Sequence, residues 1–210
     1  MPARLINAAR AGALAGYGRH ARPLLPSMDA DWFAARLAAE ASFGDVPTLD
    51  GTPAEVGPLG AQRHPLVAEA IAQWGPTLAT RLLAAALDAH VVAGRLGHSL
   101  DRLVDDDPLD VDIMRSGRGA GVVETARGPL AYLVDTADGC VRMLRSVAPT
   151  QWNFHPDGPF MAALDAAPKV PNPVFAARLL AISFDPCVPL TIEILPDRQS
   201  PANEEIGLYA

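Results

Sequence analysis

Cysteine is nearly absent from this sequence. Its 210 residues include only two cysteines, Cys140 and Cys187, which lie far apart and form no CxxC pair. This scarcity excludes a disulfide framework and the cysteine spacings of the common zinc and iron–sulfur sites. Free thiols persist in a reducing compartment, so we predict a cytoplasmic protein.

The sequence also lacks a basic stripe and a long apolar run. Its formal net charge is -7, and the acidic residues are spread along the chain, so phosphates and anionic lipids would meet no complementary surface. No run approaches the roughly 20 apolar residues of a membrane-spanning helix. Nucleic acid and membranes are therefore not expected partners. Apolar residues make up 50% of the chain, which is enough for the core of a single domain over residues 1–210.

Apolar periodicity predicts several helices. In the clearest one, apolar residues recur at alternating three- and four-residue steps and form one continuous stripe, made by Leu78, Leu82, Ala85, Ala89, Val92, Leu96, Leu100 and Leu103. This stripe is expected to pack against other helices, and Pro76 is expected at the first helical position. Shorter helices are predicted over residues 29–43, 65–74, 158–166 and 172–182.

The period changes to two in the second half of the chain. After a predicted loop that contains Gly117, Gly119 and Gly121, apolar residues alternate with others on both sides of the Asp138-Gly139 pair. This pattern is typical of a β-hairpin. The segment over residues 46–60 is rich in proline and glycine and is predicted to be irregular. The predicted fold class is α+β and mostly helical, a long-helix bundle with a small antiparallel hairpin or sheet.

Residue types alone leave the function open. The carboxylates Asp105–Asp107 could suggest a Mg²⁺ or Ca²⁺ site, but a solvated helix end followed by a loop is the favoured interpretation. His155 has no second histidine at metal-ligand spacing, so a hydrogen-bonded structural histidine is expected. Cys187, in an Asp-Pro-Cys turn, is either a reactive thiol or a small buried side chain. Arg127, beside a Gly-Pro turn, is compatible with a surface arginine paired with a carboxylate.

Four short strings in one order carry more information. They are PTLDGTPAEVGPL at residues 47–59, ETARG at 124–128, APTQWN at 148–153 and SFDPC at 183–187. They resemble the EVGPLAR, EAPRG, APTEWN and SFDPCxxCxxH stretches of the nickel-iron hydrogenase large-subunit family. One such string would be weak evidence, but four in the same order span residues 47–193. The resemblance implies a hydrogenase large-subunit-like fold.

The resemblance fails at the metal ligands. Catalytic members of the family hold nickel with four cysteinates in two CxxC pairs, two of which bridge to an iron that carries carbon monoxide and cyanide. Here the N-terminal pair has no counterpart, and Cys187 matches only the first cysteine of the C-terminal pair. Leu190 and Glu193 occupy the places of the second cysteine and the terminal histidine. Because one thiolate cannot replace four, we expect neither nickel nor hydrogenase activity.

Part of the metal pocket is nevertheless retained. By resemblance, Arg127 lies over the pocket, and Pro149 and Thr150 line the wall that faces cyanide, with Thr150 as a hydroxyl donor. Asp185 would organise the pocket beside Cys187, the candidate metal ligand. A guanidinium and a hydroxyl in such a place suit an iron fragment that carries cyanide.

The strings TQWNFHPDGPF at 150–160 and DPCVP at 185–189 resemble the HupK group of hydrogenase expression and formation proteins. The resemblance implies a non-enzymatic scaffold that binds or hands over the Fe(CN)₂(CO) part of the cofactor. Its expected partners are maturation proteins and the catalytic large subunit. The chain is short for that group, so an N-terminal portion is expected to be absent.

Three alternatives remain. The chain could be a metal-free regulatory or structural paralogue, or a fragment of a catalytic subunit. The third is the quinone-binding relative in respiratory complexes that lacks these metal-binding cysteines, against which Cys187 and Arg127 argue.

Overall fold

The computed structural model describes residues 14, 16–102, 116–196 and 204–209. Within these ranges, the helices are α1 (Ala30–Ala39), α2 (Pro58–Ala61), α3 (Pro65–Trp74), α4 (Leu78–Arg102), α5 (Pro149–Asn153), α6 (Pro159–Asp165) and α7 (Pro173–Phe184), with a 3₁₀ helix at Ala41–Gly44. The strands are β1 (Gly117–Thr125), β2 (Gly128–Ala137), β3 (Cys140–Val147), β4 (Thr191–Pro196) and β5 (Glu204–Tyr209). The predicted α+β class is confirmed. None of the helices in the described ranges has the length and apolar character needed to span a bilayer.

Prolines and polar caps set the helix starts. Proline is the first residue of α2, α3, α5, α6 and α7, where its fixed φ suits the helix and its missing N–H costs nothing. Helix α1 begins after Asp29, whose carboxylate accepts a hydrogen bond from the Trp32 backbone N–H at 2.8 Å. Asn172 caps α7 in the same way, through the Phe175 N–H at 3.0 Å. Helix α3 has the bounds that the sequence predicts.

The long helix α4 departs from prediction in two respects. It begins at Leu78 and not at Pro76, because Thr77 caps it: the Thr77 hydroxyl oxygen accepts from the Thr80 backbone N–H at 3.3 Å. Its apolar stripe is also covered only in part. Leu78 is fully buried, whereas Val92 and Leu96 are 48% and 57% exposed. Leu103 and the carboxylates Asp105–Asp107 lie outside the described residues.

A three-stranded antiparallel sheet contains the predicted hairpin. Strands β2 and β3 pair across the Asp138-Gly139 turn, where both residues have positive φ. The prediction of a loop before this hairpin was wrong, because residues 117–125 form β1 and pair along β2. The glycines of β1 hid it, since glycine is unfavourable in strand interiors. The β4–β5 pair was not predicted either.

Two core clusters meet at α5. The first packs α1 and the 3₁₀ helix under the sheet and includes Trp152, whose ring stands edge-on to Phe43 at 5.8 Å between centroids. The second joins α6 and α7, and Phe154 packs against it with its ring centroid 4.8 Å from that of Phe160. The APTQWN string and the residue after it therefore tie the two clusters together, which fixes α5 between the sheet and α7.

Candidate functional site

Two of the four strings cross backbone against backbone at a pair of glycines. Gly57 and Gly128 have φ of 109° and 124°, a region that residues with a Cβ rarely adopt. A Cβ on Gly128 would lie 2.9 Å from the Gly57 nitrogen, and a Cβ on Gly57 would lie 3.1 Å from the Arg127 carbonyl oxygen. Glycine at both positions lets Arg127 sit directly against the EVGPL string.

A third string is attached at the same point by Asn153. Its side-chain oxygen accepts from the Val56 N–H at 2.9 Å, and its amide nitrogen donates to the Val56 carbonyl at 3.2 Å. Asn153 is buried, so this pair of bonds is protected from competing water. Val56 and Asn153 are thereby held together although they are 97 positions apart. This contact anchors α5 beside Arg127.

Arg127 contacts the fourth string through Asp185. Its Nε donates to the Asp185 carbonyl oxygen at 2.9 Å and lies 3.1 Å from a carboxylate oxygen of the same residue. Asp185 ends α7 in the left-handed conformation, with φ of 49°, so the chain turns sharply there. Both side chains are well exposed, and an ion pair of this kind adds less than about 1 kcal/mol to stability. Its effect is to orient the guanidinium.

Cys187 lies two residues further on and contacts Thr150. The Thr150 hydroxyl oxygen is 3.0 Å from the Cys187 sulfur, and Pro149, buried at the start of α5, fixes the position of Thr150. Cys187 is exposed, so the interpretation of this thiol as a small buried side chain was wrong. Because the Cys187 thiol is exposed, it is open to ligands.

Two of the predicted site residues therefore contact the 185–187 turn from outside it: Arg127 contacts Asp185, and Thr150 contacts Cys187. Arg127 and Asp185 also line a cavity of about 670 Å³ whose floor is the apolar face of α4. Pro149, Thr150 and Cys187 are not part of that cavity wall. Whether these residues bind a cofactor stays a prediction.

A buried trio behind the cavity escaped the sequence analysis. Glu55 and Arg81, 1% and 2% exposed, pair through two hydrogen bonds of 2.7 and 2.9 Å. His20 Nε2 lies 2.6 Å from the Glu55 carboxylate. Burial raises the pKa of Glu55, but the Arg81 charge and the hydrogen bonds from His20 and Arg81 outweigh it and leave the pKa below its ordinary value. The available signal was Glu55 itself, inside EVGPL.

His155 and the carboxylates Asp88 and Glu124 have structural roles. His155 is buried, and its Nδ1 accepts from the Asp157 N–H at 3.0 Å, which agrees with the predicted structural histidine. Burial lowers its pKa. Arg63 pairs with Asp88 and, at 3.1 Å, with Glu124. Among the described residues, no three His, Cys, Asp or Glu side chains gather as a potential metal site.

Solved structures with the same fold are hydrogenase large subunits. The nickel-iron-selenium hydrogenase of Desulfovibrio vulgaris Hildenborough matches with a TM-score of 0.53 and 23% identity over 68% of this chain and 36% of its own. That of Desulfomicrobium baculatum matches with a TM-score of 0.55 and 21% identity over 67% of this chain and 35% of its own. The class is therefore a protein with the hydrogenase large-subunit fold.

The relatives in sequence narrow this class. A hydrogenase expression/formation protein HupK of Rhizobium leguminosarum bv. viciae is 36% identical over 84% of this chain and 48% of its own length. The HupK protein of Azotobacter vinelandii is 32% identical over 88% of this chain and 58% of its own length. No protein-family model matches the sequence.

The chain is homologous to hydrogenase expression/formation proteins of the HupK kind, as the strings at 150–160 and 185–189 predict. It spans about half the length of the curated relatives that it matches.

Proposed function

We propose that this chain is a non-enzymatic accessory protein of hydrogenase formation, which holds the Fe(CN)₂(CO) fragment at Cys187 until it passes to a catalytic large subunit. The observation that carries the proposal is the exposed Cys187 thiol beside the Thr150 hydroxyl, on a hydrogenase large-subunit fold. The names of the sequence relatives support the accessory role.

The donor set suits iron cargo better than nickel. Low-spin iron that already carries three diatomic ligands is soft and favours sulfur, so a single thiolate is a plausible attachment point. The Thr150 hydroxyl and the Arg127 guanidinium each contact the 185–187 turn. They would offer cyanide nitrogens a neutral and a charge-assisted donor, respectively. Leu190 stands where nickel would need a second thiolate. Glu193 stands where the family has its terminal histidine.

The same features favour transfer over retention. One exposed thiolate gives the cargo a single protein bond, whereas a resident metal is usually enclosed by several ligands and a second layer of hydrogen bonds. We infer that the partners are hydrogenase maturation proteins, which deliver the fragment, and the catalytic large subunit, which receives it. A cytoplasmic location would keep Cys187 reduced.

Complementation in cells tests the proposal. In a host whose own copy of the gene is deleted, Cys187→Ala should reduce hydrogenase activity sharply. The fold should change little, because replacing an exposed cysteine costs within about 0.5 kcal/mol. Cys140→Ala is the matched control, since Cys140 is an equally exposed free thiol on β3, and it should leave activity unchanged. Normal activity with Cys187→Ala would favour a metal-free paralogue instead.

A further inference from the structure

Arg81 is buried, and three hydrogen bonds hold its guanidinium group. Its Nε and Nη2 bind the two oxygens of Glu55, and its Nη1 donates to the Gly18 carbonyl at 2.8 Å. Gly18 has φ of 83°, and a Cβ there would lie 3.0 Å from Arg81 Nη1, so only glycine allows this approach. The guanidinium plane is therefore fixed on two sides.

His20 completes the support of Glu55. The Arg22 backbone N–H donates to His20 Nδ1 at 3.0 Å, so Nδ1 carries no proton and Nε2 carries it. Nε2–H then donates to the Glu55 oxygen 2.6 Å away. The carboxylate accepts from His20 and from Arg81 and has no freedom to rotate, which makes the trio a rigid unit.

The free face of this unit lies against the turn that carries Cys187. The Arg81 guanidinium carbon is 4.2 Å from the centre of the Phe184 ring, a distance at which a cation and an aromatic face attract. Phe184 is the last residue of α7 and is buried, and the chain turns at Asp185 directly after it.

We propose that Arg81, supported by Glu55 and His20, is a positioning residue that holds the Phe184–Cys187 turn so that the thiol stays beside Thr150. That the placed thiol holds iron rests on the proposed function, but the placement of the thiol by Arg81 does not. The contact of Arg81 with Phe184 fixes one end of the turn, and the contact of Arg127 with Asp185 fixes its middle. Cys187 then has one favoured place.

An engineered disulfide measures this placement without any metal. In a Cys140→Ser background, Thr150→Cys puts a thiol where the Thr150 hydroxyl lies 3.0 Å from the Cys187 sulfur. Equilibration with glutathione disulfide oxidises the two thiols to one disulfide and releases two glutathione thiols. The equilibrium constant gives the effective concentration of one thiol at the other.

Changes at the supporting residues should lower that effective concentration. Phe184→Leu, which removes the aromatic face, and Arg81→Lys, which removes the planar fork, should each reduce it about fivefold. Phe184→Tyr keeps the ring and should restore the parent value. Phe33→Leu removes an equally buried ring from the other core cluster and should leave the value unchanged.

An unchanged effective concentration in folded Arg81→Lys or Phe184→Leu protein would overturn the inference, as would an equal fall in Phe33→Leu. The test is independent of iron. If the effective concentration falls as expected while Cys187→Ala supports normal hydrogenase formation, Arg81 positions the turn and the proposed function is wrong.

Discussion

At the scale of single residues, Glu55 should make stability depend on pH. The folded protein lowers its pKa below the ordinary value of 4.5, so its charge adds stability above that value, and this contribution is lost as the pH falls through the lower folded pKa. Glu55→Gln should destabilise the protein by about 3 kcal/mol at neutral pH, because Arg81 stays buried without its partner. Urea unfolding between pH 3 and 7 measures both effects.

The matched change is Glu40→Gln, which removes an exposed carboxylate paired with Arg36 at 3.5 Å. It should cost less than about 0.5 kcal/mol at neutral pH. A Glu55→Gln protein as stable as Glu40→Gln, with the same acid dependence as the parent, would contradict the buried trio.

At the same scale, the sequence indicates the exposed candidate residues better than the buried Glu55–Arg81 pair behind them. Arg127, Thr150, Asp185 and Cys187 could be named as candidates because each stands inside a string that can be compared with a known family. Arg81 lies outside every string, and its ionic partner Glu55 is 26 residues away. A buried ion pair leaves no local periodicity, so only the folded chain reveals it.

At the scale of elements, the backbone crossing at Gly57 and Gly128 should be intolerant of a side chain. Gly128→Ala places a Cβ 2.9 Å from the Gly57 nitrogen and demands a φ of 124°, so we expect a loss of about 3 kcal/mol. Thermal unfolding tests this. Gly121→Ala is the control, since a Cβ there meets nothing within 4 Å and should change stability by less than about 0.5 kcal/mol. Equal effects of the two changes would contradict the crossing.

Strand pairing bears on processing of the C-terminus. In the catalytic family, a protease removes the tail after the terminal histidine once nickel is bound, and Glu193 stands at that place here. It lies within β4, which pairs with β5 along Glu204–Tyr209. We predict that residues 194–210 stay attached in cells with the full maturation system. Intact mass spectrometry checks this, and a mass lower by that segment would contradict it.

Elements with a clear apolar period or turn signal were predicted from the sequence. Strands β1, β4 and β5, which only their pairing partners define, were not. Helix α3 and the β2–β3 hairpin follow from apolar spacing and turn residues within a few positions. Strand β1 was missed because its glycines suppress the alternating pattern, although its ladder with β2 runs from Gly117 to Thr125. The short helix α2, which starts at Pro58 inside a segment predicted to be irregular, depends on the crossing at Gly57.

At the scale of the whole molecule, the chain matches about a third of a hydrogenase large subunit, and its SFDPC string contains one cysteine, Cys187. Two of its core clusters meet at α5, which carries Thr150. The contacts of Arg127 with Asp185 and of Thr150 with Cys187 hold the 185–187 turn. Val92 and Leu96 on α4 are exposed beside a cavity lined by Arg127 and Asp185.

Infrared spectroscopy with metal analysis tests the central claim most directly. Protein purified after coexpression with the hydrogenase maturation machinery should show carbonyl and cyanide stretches and contain iron without nickel. Cys187→Ala should abolish these bands, and Cys140→Ala should retain them. Wild-type protein without the bands, or bands that survive Cys187→Ala, would contradict an iron-carrying role for Cys187.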